Sequence, residues 1–439
     1  MDYGSIIGTL SYGMGAAGDI NIHANQIQII EGGGITSVGN GLGGNGGIYI
    51  TTDDLLMNGG TQTLIPPTPG SPFYTLAYTT SSLFSSSVGA LSTPKNVEIK
   101  ANHSIQLLNG GALGTNAYSR SNGSVKIQTP SLLISGRLQA SPEEIQQVKA
   151  ALPAGSELRV DPFIPAAILS ANGQYNSVSG QAIGLPPGFV PEGQTGDIEI
   201  LTSNLVVTNG GVITVTNEGK GDAGNLKIST QNFKVLLDSE ISAQSLSGNG
   251  GNIDVNASRS IFLQGGGKIL TSSLETGSGG NIRLQTPFFG AFNGNLFSTA
   301  VFGSGGTIQL NSPIAIFRDS QVSVSSEQGR TFDGQIIVKE PYSDFTVERS
   351  ELIPQSPQLE QTTCQERQGV LNTYLQANSP SIMPTASGWH DPDTVPAKVI
   401  PSKDTPEIIE ADQWVVSSDG TIHLIHSTAT YAQASINCR

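Results

Sequence analysis

The sequence predicts an all-β fold: a parallel β-helix, a solenoid of about 26–29 residues per turn with loop insertions and a small C-terminal tail. Three observations carry this. First, a Gly-led alternating strand recurs as Gly196-Asp-Ile-Glu-Ile, Gly224-Asn-Leu-Lys-Ile, Gly251-Asn-Ile-Asp-Val, Gly280-Asn-Ile-Arg-Leu, Gly306-Thr-Ile-Gln-Leu and Gly334-Gln-Ile-Ile-Val, at steps of 28, 27, 29, 26 and 28 residues. Second, each unit repeats two further strand signals. Leu205-Val207, Phe233-Val235, Ile261-Leu263 and Ile314-Ile316 follow the leading strand, and a Gly-, Asn- or Asp-bearing corner then precedes Ile213, Ile241, Ile269, Leu296 or Val322. Gly, Asn and Asp tolerate the left-handed backbone of a sharp corner. Third, the alternation has period two, with no helical periodicity in these units.

A stack of such units predicts two inward ladders. Ile198, Leu226, Ile253, Ile282, Ile308 and Ile336 form one, and Ile200, Ile228, Val255, Leu284, Leu310 and Val338 the next. Asn225, Asn252 and Asn281 are expected to join amides along the axis as structural glue.

The chain divides into four stretches. Residues 1–140 hold irregular coils, residues 141–195 a helix-plus-loop insertion, residues 196–350 the regular coils and residues 351–439 a Pro-rich tail. Ser5 to Ala17 reads as the tail of a coil whose beginning is missing, so the chain is expected to be the C-terminal part of a longer protein, or a gene that has lost its start. Met1-Asp-Tyr-Gly lacks the basic and apolar regions of a secretory signal. A first insertion at about 64–95 carries Phe73, Tyr74, Tyr78 and Phe84; exposed aromatic rings would mark a binding surface, although packing on the flank of the coil is the expected use. The second opens with Ser141-Pro142-Glu143-Glu144, a helix start running to about Leu152. In the tail, a short helix is expected at 363–376 and a hairpin across Trp414 to Ile425 about Asp419-Gly420. Cys364 and Cys438 bracket this tail, as a disulfide or as two unconnected thiols. Twelve or so turns at ~4.8 Å would make a rod on the order of 55 Å long.

Composition narrows the function. The net charge is −14 without a cluster of Lys and Arg, which argues against nucleic acid as a partner. No apolar run approaches the ~18 residues of a transmembrane segment. Gly-Asn-Ile-x-Val turns with Gly-Gly-x-Ile corners resemble the filamentous-haemagglutinin-type large exoproteins of two-partner secretion, nearest in their cyanobacterial branch. There a Cys-bearing, Pro-rich tail ends as Glu410-Ala411-Asp412-Gln413-Trp414-Val415 and Asp419-Gly420-Thr421-Ile422-His423-Leu424 do here. The resemblance implies a right-handed β-helical shaft, a secreted or cell-surface location, and an outer-membrane two-partner-secretion transporter as partner of the full-length parent. Family members begin with a signal peptide and a secretion domain, and neither is found in this sequence.

No catalytic, cofactor-binding or metal residue stands out. Asp53-Asp54 and Glu143-Glu144 are the adjacent acidic pairs of the shaft. The second belongs to the helix start. The first reads as a solvated corner, because neighbours on a strand point to opposite faces. His423 and His426 would likewise diverge on a strand, which argues against a shared metal. The expectation is a non-enzymatic adhesive rod presenting loops to a glycan, cell or matrix partner, with no cofactor. The alternatives are a polysaccharide lyase or glycoside hydrolase built on a β-helix, or a truncated remnant without function.

Overall fold

The computed structural model describes residues 5–339 except 41–42, 68–72, 88–94, 119–121, 161–162 and 174–189. Beyond these it describes the strands Gln413–Val416, Ile422–Ile425 and Ala434–Ser435. Residues 5–339 form a parallel β-helix. A long strand of each coil, from Ile20–Ile30 to Gln335–Lys339, joins a 12-stranded sheet, and a shorter strand, from Ile6–Ser11 to Val322–Ser323, joins a 10-stranded sheet. The long sheet follows ten coils in sequence order, about 45 Å of rise, which is shorter than the rod expected from the sequence. The insertions account for the difference: Ile48 pairs with Val97 and Val125 with Ile198, so two single rises consume 49 and 73 residues.

The leading glycines are required by contact rather than by backbone angle. A Cβ on Gly251 would lie 1.8 Å from the Gly224 carbonyl oxygen, one on Gly280 1.9 Å from that of Gly251, and one on Gly306 1.8 Å from that of Gly280. Successive coils therefore touch main chain to main chain at this corner, where no side chain fits. The other corner is left-handed as expected, with φ of 53° at Asn209, 57° at Asp238, 53° at Asn293 and 53° at Asp319.

Both predicted inward ladders form in register, coil on coil from Ile198 to Ile336 and from Ile200 to Val338. A third runs Ile213, Ile241, Ile269, Leu296 and Val322. Each buried aliphatic contributes about 1.5–3 kcal/mol. The strand signal at Ile314-Ile316 is borne out as Ile314–Arg318, but its phase differs from that of the units before it. Ile314 and Ile316 face outward, 52% and 41% exposed, while Ala315 and Phe317 continue the ladders of Leu205 and Val207. The reason is a bend in the middle of the long strand. Thr52, Thr129, Thr202, Thr230, Thr286 and Ser312 point inward there, and each hydroxyl donates to the carbonyl two residues on, at 2.7–3.2 Å. The inward side chain comes three residues after the bend: Leu55, Leu132, Leu205, Phe233, Phe289 and hence Ala315.

The asparagine ladder is longer than its sequence signature. Asp197 Oδ1 accepts from the Asn225 backbone N–H and amide, at 2.7 and 3.2 Å. Asn225 Oδ1 accepts from Asn252 in the same way, Asn252 from Asn281, and Asn281 Oδ1 from the Thr307 N–H. Beside it, on the outer face, a row of charges alternates in sign from coil to coil: Glu98, Lys126, Glu199, Lys227, Asp254, Arg283. Lys227 Nζ lies 3.8 Å from Glu199 Oε1. Such exposed pairs stabilise weakly, but like charges at the same spacing would repel.

The segments read as insertions contain coil strands. Ser82–Ser87 and Ala167–Asn172 both belong to the short sheet. Serine fills inward positions in the first, with Ser85 and Ser87 buried beside Leu83, so the apolar alternation fades. The helix spans Pro142–Ala151 with the expected capping box: Ser141 Oγ accepts from the Glu144 N–H, and Glu144 Oε2 accepts from the Ser141 N–H. A second unit comprises most of the chain beyond Asp344. In it Gln413–Val416 and Ile422–Ile425 pair antiparallel with Trp414 opposite Leu424, the expected hairpin. Cys364, Cys438 and the helix expected at 363–376 lie outside the described residues.

Replacing Gly280 with Ala is expected to destabilise the shaft by about 3 kcal/mol, as overpacking against a backbone that cannot yield. Gly15→Ala, in open space, should change stability by less than ~0.5 kcal/mol. Urea unfolding followed by far-UV circular dichroism measures both. Lys227→Glu should cost up to about 1 kcal/mol at low salt, and a high-salt buffer should recover most of it.

Candidate functional site

Three places on the described surface gather chemistry. The first is a side module built from both insertions. The hairpin Gly60–Ile65 and Tyr74–Thr80 pairs antiparallel, and Leu158–Val160, from the second insertion, adds to it parallel to Tyr74–Thr80. The Tyr74 N–H donates to the Glu157 carbonyl at 2.9 Å. The Glu144 carboxyl lies below its ordinary value, first through the Ser141 backbone N–H and its hydroxyl, with Gln62 of the hairpin assisting. Segments some 80 residues apart thus form one element on the shaft. Of the aromatics expected on the flank, Tyr74, Tyr78 and Phe84 are half-buried, whereas Phe73 stays 37% exposed. Phe163, 44% exposed, lies under the Arg137 guanidinium at 4.3 Å, and that guanidinium also donates to the Asp238 carbonyl at 3.2 Å. Arg137–Leu138 pairs antiparallel with Ile164–Pro165, fastening the module's base to the coil.

The second place is Asp53-Asp54. Both carboxylates are partly exposed, as a solvated corner requires, but they do not diverge. The pairing slips by one residue between Thr52 and Asp54, and both carboxylates reach the next coil. Asn102 Nδ2 donates to Asp53 Oδ1 at 2.7 Å, Ser104 Oγ donates to Asp54 Oδ1 at 2.6 Å, and His103 Nδ1 lies 3.4 Å from Asp54 Oδ2. The Ser104 hydrogen bond, aided by His103 and opposed by slight burial, holds the Asp54 carboxyl below the usual aspartate range. Among the described residues no three His, Cys, Asp or Glu side chains are placed to hold a metal ion. His423 lies on the strand Ile422–Ile425, and His426 is outside the described residues.

The third place has no counterpart in the sequence reading. A groove of about 550 Å³ crosses the bends of five consecutive coils. Lys100, Gln128, Leu201, Ser229 and Asn256 stand in register along it, one from each coil. A second row of Asn102, Pro130, Ser203, Gln231 and Ser258 lies beside them. Thr129, Thr202 and Thr230, the bend residues, lie beneath. The signal in the sequence is the position just before and just after each bend threonine, readable once the bend is known. No described helix is long and apolar enough to cross a membrane, which leaves spanning by strands unaddressed.

Comparison with protein-family models, with curated proteins and with solved structures returned no match.

The Asp54 carboxyl should titrate below the ordinary aspartate midpoint, and Ser104→Ala should raise that midpoint toward the ordinary value. Carbon-detected NMR of the side-chain carboxyl against pH reads both.

Proposed function

We propose that this chain is a non-enzymatic adhesive rod, secreted or held at a cell surface, of the kind built by filamentous-haemagglutinin-type exoproteins. The observation that carries the reading is the joining of two distant insertions into one side module on an otherwise regular shaft. A parallel coil stack resists bending because every rung is bonded to both neighbours, so anything mounted on it is held at a fixed place. The module supplies what a bare shaft lacks: a sheet edge, a solvated helix and the exposed rings of Phe73 and Phe163. Exposed aromatic rings beside a guanidinium suit contact with a glycan, cell or matrix surface. The resemblance adds an outer-membrane transporter as the export partner of a longer parent chain.

Beads coated with the full chain are expected to adhere to cells or glycan-coated surfaces. Combined Phe73→Ser and Phe163→Ser replacement should remove most of that adhesion while leaving the circular dichroism spectrum unchanged. Equal adhesion by the two proteins would refute the role of the module, and antibody detection only inside intact cells would refute the location.

A further inference from the structure

The groove over the bends is chemically unlike the rest of the shaft, and we propose that it binds a neutral, unbranched polysaccharide lying along the rod axis. This goes beyond the adhesive reading of the module, because it concerns a different face of the coil and a different set of residues.

Charge comes first. The chain carries a net charge of −14, and charged residues alternate up the neighbouring row of the same strands. Among the fourteen residues lining the groove there is no carboxylate, and Lys100, at one end, is the single cation. Three carboxamides (Gln128, Gln231, Asn256) and the hydroxyls of Ser203, Ser229 and Ser258 supply donors and acceptors that do not titrate, while Asn102, at the Lys100 end, is engaged by Asp53. Such a lining can satisfy many hydroxyl groups while offering no counterion to an acidic polymer. It also lacks the stripe of cations that a phosphate backbone demands.

Geometry comes second. Five coils span about 20 Å, and their groups repeat at the ~4.8 Å rise. The advance per ring of an extended β-linked glycan is close to that spacing, so successive rings meet equivalent rungs. The groove lies open along the surface, which fits the middle of a long chain rather than one of its ends. Leu201 supplies the remaining element. It stands at the central rung, 51% exposed, between amides and hydroxyls on either side. An exposed leucine flanked by polar groups matches a sugar ring, whose face is C–H and whose rim is O–H.

The test is isothermal titration of the full chain with cellohexaose and xylohexaose, and in parallel with oligogalacturonate and an extended Ser/Gln peptide of similar length. Binding of a neutral hexasaccharide is expected, weakened at least tenfold by Leu201→Asp and by Gln128→Ala. Both residues are exposed, and unchanged unfolding midpoints would show that the coils persist in the variants. Phe302→Ser, at an exposed ring outside both the groove lining and the module, should bind the hexasaccharide as the parent does. Absence of heat with either neutral ligand at millimolar concentration would overturn the proposal. So would preference for the acidic oligosaccharide or the peptide, or binding that the groove variants leave intact.

Discussion

The structure depends on one close approach: main chain against main chain at the leading glycine of successive coils, as from Gly196 to Gly334. At Gly251, Gly280, Gly306 and Gly334 a methyl group would overlap the carbonyl oxygen of the coil below. That contact brings the backbone of one rung directly over the next. The flanking residues then have no choice of phase. Ile253 must lie on Leu226, and Asn252 must present its amide to Asn225. The hydrophobic stack supplies most of the stability, but the glycine corner decides which residues meet in it. In the coil of Val97 the place is held by Lys95, whose side chain is exposed, and the ladders stay in register across it.

Much of this was legible because a coil repeats its physical constraints as well as its residues. The leading glycines, both aliphatic ladders and the asparagine series could all be written down from spacing alone, and the capping box at Ser141 follows from local rules. The illegible parts are those where one signal imitates another. Ile314 and Ile316 look like inward residues because isoleucine usually is. The serine at 312 sets the bend, however, and three residues on stands Ala315. Ser82–Ser87 hid for the opposite reason, since serines at inward positions leave Leu83 with too few apolar companions to show a period. Asp53 and Asp54 misled because period-two alternation fails across a bulge.

The candidate sites were less legible than the fold, and for a different reason. The side module needs Leu158–Val160 to find Tyr74–Thr80 across an intervening coil, a pairing set by where the shaft places the two loops. The groove draws on residues from Lys100 to Ser258, none of which is unusual in its own strand. Lys100, Leu201 and Asn256 become one surface only when five coils are stacked in order. Function on a solenoid belongs to columns, whereas a sequence is read along rows.

The alternating charges on the long sheet carry a consequence for how such a rod can lengthen. Glu98, Lys126, Glu199, Lys227, Asp254 and Arg283 form a strict two-stroke series. Tandem duplication of one coil would set two carboxylates, or two cations, side by side on adjacent rungs. Duplication of a pair would preserve the alternation throughout. In this stretch the charge pattern repeats every two coils, although the unit of structure is one.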